Sequence, residues 1–124
     1  MDLISLEEAR DHLQMDHDES DAEIQRMIAE ASAAVLNYLD GAPIGQPVRD
    51  EQGAVVRDTD DEVVYLRDSD DNLIVRFEVQ AATKLLVGYL FRLRDEDERR
   101  EFEMGYLPRP VTALLYPLRR PAVA

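Results

Sequence analysis

One stretch constrains this chain more than any other: residues 20–41, "SDAEIQRMIAEASAAVLNYLDG". Ile24, Met27, Ile28, Ala31, Val35, Tyr38 and Leu39 recur at steps of three, four and seven, which places them on one stripe of an α-helix. Gln25, Arg26, Glu30 and Asn37 fall on the other side. Ser20 with Glu23 three residues later forms a capping box at the start. Gly41 supplies the stop, and Pro43 follows it. The spacing predicts a helix over about 20–40, roughly 30 Å long at 1.5 Å per residue. A helix with one apolar stripe must bury that stripe against something, so the rest of the chain has to supply partners.

Three further segments can do so. Ser5-Leu6-Glu7-Glu8 is a second capping box, and Leu6, Ala9 and Leu13 continue it as a short helix over about 6–14. From Phe77 to Arg94 the pattern is again helical: Val79, Ala82, Leu86, Tyr89, Leu90 and Leu93 mark one side, and Ala81, Leu85 and Gly88 widen it. A helix apolar over most of its circumference occupies the middle of a bundle. A last short helix is predicted in "PVTALLYPL", with Pro110 in its first turn, Val111, Leu114 and Leu115 on one face, and Pro117 and Pro121 ending it.

Between the second and third main helices the character changes. "PVRDEQGAVVRD" places Gly53 in a tight turn between two short β-prone runs, and "DEVVYLRDSDDNLIVRF" repeats the pattern around "DSDDN". These segments predict one or two small hairpins, of which the sequence fixes no register. No repeat of solenoid type is present. The expected fold is mainly α: a small helical bundle of three to four helices with a β-hairpin insertion. It forms a single domain over 1–124, with residues 41–76 as the insertion and 117–124 as an extended tail.

Charge is distributed unevenly along the 124 residues, whose net charge is −13. Residues 1–40 hold eleven acids against two bases, and residues 41–72 nine against three. The last 21 residues hold three arginines and no acid. An acidic surface disfavours wrapping nucleic acid, which needs a basic face. It suits a chain that repels DNA, or one whose acidic part meets a basic neighbour. Without cysteine there are no disulfides, thiolate ligands or thiol nucleophiles. No apolar run approaches the roughly 20 residues of a membrane span. The opening "MDLISLEEAR" lacks the order of a signal peptide.

Three places invite a chemical reading. "MDHDESDAE" packs five carboxylates around His17. A metal reading would use His17 with Asp16, Asp18 or Glu19, yet adjacent loop positions rarely converge on one ion, and His12 lies five residues away across a helix end. The spacing fits helix capping and dipole compensation better. In "RDSDDNL", Asp68, Asp70 and Asn72 have the alternation of a calcium loop. Its sixth position should be Gly and its twelfth Glu; they are Leu73 and Val79. Phosphate-loop and nucleophile-elbow motifs are absent, so neither catalysis nor a cofactor is expected. At the C-terminus, Leu114, Leu115 and Tyr116 followed by Arg119 and Arg120 make an apolar and basic end on an acidic chain. That end reads as an ordinary last helix, as a docking segment for another subunit, or as both.

The order of these features resembles the head–tail connector (adaptor) proteins of long-tailed bacteriophages. The resemblance rests on Leu6, Leu13, Asp16, Asp18, Asp21, Ile24, Ile28, Ala31, Val35, Tyr38 and Leu39. It continues in Ala82, Leu86, Val87, Tyr89, Leu90 and Arg94, then in Leu107, Pro108, Val111, Leu114, Leu115, Pro117 and Arg119. It spans about two thirds of the chain, and the 41–76 insertion is long for that family. The resemblance implies a structural virion protein in the neck, assembled in the host cytoplasm. It implies a homo-oligomeric ring of about a dozen copies built from one repeated heterologous interface, joining the portal to a tail-completion or stopper protein while DNA passes through without sequence-specific binding. Leu114, Leu115, Tyr116, Arg119 and Arg120 would dock on the portal. Asp16, Asp18, Glu19 and Asp21 would face a neighbouring subunit or the channel, where an acidic wall lets DNA slide. The competing readings are an acidic regulator or DNA mimic that binds a basic surface and, on the Asp/His turn, a metal-dependent enzyme.

Overall fold

The computed structural model describes residues 1–13, 20–92 and 107–119. The chain divides into two compact units: one formed by Met1–Ala42 with Glu78–Ala124, the other by Pro43–Phe77.

The first unit is helical. Helix α1 spans Leu6–Leu13, and its capping box closes as expected. The Glu8 amide donates to Ser5 Oγ at 3.1 Å, and the Ser5 amide donates to Glu8 Oε1 at 3.2 Å. Helix α2 spans Asp21–Leu39, with Ser20 as N-cap accepting from the Glu23 amide. Its stripe is buried at Ile24, Ile28, Ala31, Val35 and Leu39. Met27 and Tyr38, at the margins, are half-buried. The helix ends one residue before the expected glycine: Asp40 takes the left-handed conformation with φ of 53°, and Gly41 follows at 81°. The N-terminal segment lies against α2, with Leu3 and Ile4 buried and the Leu3 amide donating to the buried Ser32 Oγ at 3.0 Å. That bond satisfies a polar atom that the apolar stripe would otherwise strand.

Helix α3 spans Phe77–Arg92. Val79, Ala82, Thr83, Leu86, Val87, Gly88 and Leu90 are buried, and every other position from 78 to 91 is at least half-buried. That is the central helix the sequence predicts. Thr83 stays satisfied in the core by donating to the Val79 carbonyl at 2.8 Å. Lys84 Nζ reaches Glu8 Oε2 of α1 at 3.6 Å. Helix α4 spans Arg109–Leu115 and packs on α2 with Val111 and Leu115 buried. Pro108 is its N-cap, and a 3₁₀ turn over Tyr116–Leu118 continues it.

The second unit corrects the expected β-hairpin insertion. Among its residues no β-strand forms. Five isolated antiparallel bridges take the place of a ladder: Gly45 with Val75, Pro47 with Tyr65, Arg49 with Val55, Arg57 with Val63, and Arg67 with Leu73. The physical reason lies in the hydrogen bonding, because each segment changes partner after one bridge. The Val56 amide donates to the Val48 carbonyl, Val64 to Val56, and Val48 back to Val64, at 2.9, 3.0 and 2.9 Å. A second closed triangle joins Gln46 to Ile74, Ile74 to Leu66, and Leu66 to Gln46, at 2.8, 3.0 and 2.8 Å. Gly45 is held in this arrangement by space: a Cβ there would lie 2.7 Å from Tyr65 Cδ1 and 3.0 Å from Leu73 Cδ1.

The three bridges at Arg49, Arg57 and Arg67 close three copies of one turn, a repeat hidden in "VRDEQGAV", "VRDTDDEV" and "LRDSDDNL". In each, the arginine Nη1 donates to a carbonyl four residues on: Gly53, Asp61 or Asp71, at 2.9 to 3.1 Å. The next residue's carboxylate accepts two backbone amides: Gln52 and Ala54 on Asp50, Asp60 and Glu62 on Asp58, Asp70 and Asn72 on Asp68. The fourth residue is left-handed every time, with φ of 82° at Gly53, 62° at Asp61 and 63° at Asp71.

Candidate functional site

The residues singled out at the C-terminal end divide by burial. Leu115 is fully buried, and its burial places it in the helical core. Leu114 is half-buried. Tyr116 is 71% exposed, unusually for a large aromatic side chain. Arg119 is exposed, and its guanidinium carbon sits 4.9 Å from the centroid of the Tyr38 ring of α2, a cation–π contact that orders the end of the 3₁₀ turn. Arg120 lies outside the described residues.

Of these side chains Tyr116 borders an open hollow of about 540 Å³, lined among the described residues by Tyr38, Arg109, Thr112, Ala113, Tyr116 and Pro117. Its construction follows from α4. Buried Val111 and Leu115 hold one face of that helix against the core, so Arg109, Thr112, Ala113 and Tyr116 are turned toward the hollow. Among the described residues no aspartate or glutamate lines it, although acids outnumber bases almost two to one in the chain. Among the described residues its lining joins two tyrosine rings and aliphatic groups to one cation, Arg109. Such a surface can hold an apolar and acidic segment of another protein chain. Sequence reasoning missed Arg109, Thr112 and Tyr38 as parts of it. Tyr38 falls on the margin of the α2 stripe, and nothing in the pattern tells a core tyrosine from one walling a surface hollow.

The acidic turn that precedes α2 is described only at its end. Asp16, His17, Asp18 and Glu19 lie outside the described residues. Asp21 forms an ion pair with Arg10 of α1, so its carboxylate is engaged within the unit. Ser20 and Glu23 are a helix start.

In the second unit the aspartates that suggested a calcium loop are committed to backbone amides. Asp68 is held below its ordinary value of 3.8, first by the hydrogen bond from the Asn72 amide, then by that from Asp70. Among the described residues, no cluster of three or more His, Asp or Glu side chains is arranged to hold a metal ion. His12, against α3 near Gly88, is pushed below 6.5 by partial burial and by the positive charges of Lys84 and Arg92.

A family model described as phage gp6-like head-tail connector protein matches residues 3–119. No curated protein and no solved structure matches the chain.

Proposed function

The chain belongs to the phage gp6-like head-tail connector protein family, and from that premise we propose that it is a ring-forming adaptor linking the portal at the capsid vertex to the tail or tail-completion proteins. The family is structural rather than enzymatic, and membership implies a place in the virion neck, contact with portal and tail proteins, and oligomerisation. The ring, its dozen or so copies and the passage of DNA through it are the finer part of the proposal. Among the described residues no helix is long and apolar enough to cross a membrane.

The observation that carries the reading is the family match over residues 3–119, nearly the whole chain. The charge pattern supports it. A chain of net charge −13 that lines a channel repels a DNA backbone and lets it pass. Asp16, Asp18 and Glu19 are the carboxylates assigned to the channel or to a subunit interface. Asp21 contributes less, because Arg10 already pairs with it. Of the docking set, Leu115 and in part Leu114 anchor α4, while Tyr116, Arg119 and Arg120 are the contacts proposed for the portal.

Negative-stain microscopy of the chain mixed with its portal tests the ring, and a stacked ring below the portal is the expected image. Reversing Arg119 and Arg120 to glutamate should weaken attachment to the portal at least about tenfold and leave the circular dichroism of the chain unchanged. Attachment at the unaltered strength would remove the docking role from these residues.

A further inference from the structure

Among the described residues, the hollow beside α4 and the tips of the turn module are opposite in charge, and neither is neutralised by a partner in its own unit. Arg109 is exposed and has no carboxylate partner among the described residues. In the module, Glu51, Asp60 and Asp70 are exposed, and their carboxylates bind nothing among the described residues. The module's own arginines cannot serve them fully, because Arg49, Arg57 and Arg67 are engaged with turn carbonyls. One chain therefore carries a cationic recess with apolar walls and a set of anionic projections.

Copies of a chain with net charge −13 repel one another unless their contact pairs patches of opposite sign. A ring closed by rotation uses one heterologous interface, which requires two different and complementary patches on each copy. We propose that the hollow of one copy receives the acidic turn module of a second copy, with Arg109 pairing to carboxylates at the turn tips. This assignment rests on the ring reading above. It gives the insertion a use: the segment that each subunit lays into its neighbour.

Self-association of the isolated chain, followed by sedimentation velocity over rising concentration, tests the contact without portal present. Arg109→Glu should raise the concentration for half-association at least about tenfold, as should Asp60→Lys with Asp70→Lys. The two sets combined should return it to within about threefold of the unaltered chain. Arg109→Glu associating like the unaltered chain would overturn the contact and leave the ring intact. A combined variant no better than its parents would overturn the pairing and favour another occupant of the hollow, such as a portal segment. An unaltered chain that stays monomeric at every concentration would overturn the contact as one that forms between free copies, and would leave the ring to the test with portal present.

Discussion

Replacing Gly53 by alanine isolates the backbone cost of the repeated turn. Gly53 has φ of 82°, and a Cβ built there meets nothing within 4 Å, so no steric contact enters the balance. What remains is the left-handed penalty of about 1–2 kcal/mol for a residue with a Cβ. About 0.4–1 kcal/mol of it is offset because alanine also restricts the unfolded chain. The difference, roughly 0.5–1.5 kcal/mol, corresponds to a two- to tenfold larger open population of the module. The sister turns supply an internal control. At the equivalent positions Asp61 and Asp71 hold φ of 62° and 63°, and aspartate visits this region at lower cost than alanine. Each also places a carboxylate oxygen 3.9 Å from the Nε of Arg57 or Arg67. Those pairs are more than half exposed and add little. Gly53→Asp should therefore stay within about 0.5 kcal/mol of the unaltered chain.

Native-state amide exchange resolves the two variants locally. The amides of Val48, Val56 and Val64, which close one hydrogen-bond triangle, should exchange two- to tenfold faster in the alanine variant. They should be near the unaltered rate in the aspartate variant. Alanine indistinguishable from glycine, or aspartate worse than alanine, would refute the claim that the three turns share one backbone requirement.

Two further outcomes are expected. Leu115→Ala should cost about 2–5 kcal/mol in urea unfolding, since the side chain is fully buried, whereas Tyr116→Ala should cost less than about 0.5 kcal/mol; comparable losses would put Tyr116 in the core as well. His12 titrates below 6.5 in the folded chain, so the unfolded chain takes the proton more readily. Its contribution to stability is complete above about pH 6.5 and falls as pH drops toward the folded value. Urea midpoints should decline over that window, and His12→Gln should flatten the decline.

The helices were legible because their signals are local. Ser5 with Glu8 and Ser20 with Glu23 mark two starts, and the spacing from Ile24 to Leu39 gives the buried face without reference to any other element. α3 was legible as central because so few of its positions are polar. The end of α2 was read one residue late, since aspartate is a weaker left-handed signal than the glycine behind it. The second unit was only half legible. Its turns are written in Arg-Asp pairs at 49–50, 57–58 and 67–68, each with a left-handed position three residues after the aspartate. That repeat was the signal that could have found the module. Its pairing stayed hidden because alternation of apolar residues specifies extended chain and leaves the partner open. Of the docking residues named from the sequence, only Tyr116 lines the hollow. Arg109 and Tyr38 join it through the packing of α4 on α2, a non-local fact.

The closed triangles also bear on how such a subunit can associate safely. Two extended hairpins would leave outer strands with rows of unbonded amides and carbonyls, which pair readily with any other strand. Here the amide and carbonyl of Val48, Val56 and Val64 are each used by a neighbour in the same ring of three, and the same holds for Gln46, Leu66 and Ile74. Bridges one residue long leave no edge along which a second copy could register. The module can then project many exposed groups without offering its backbone, and recognition falls to side chains at the tips. Charge at Glu51, Asp60 and Asp70 can be matched by a basic surface and refused by an acidic one, whereas an open strand edge would accept either.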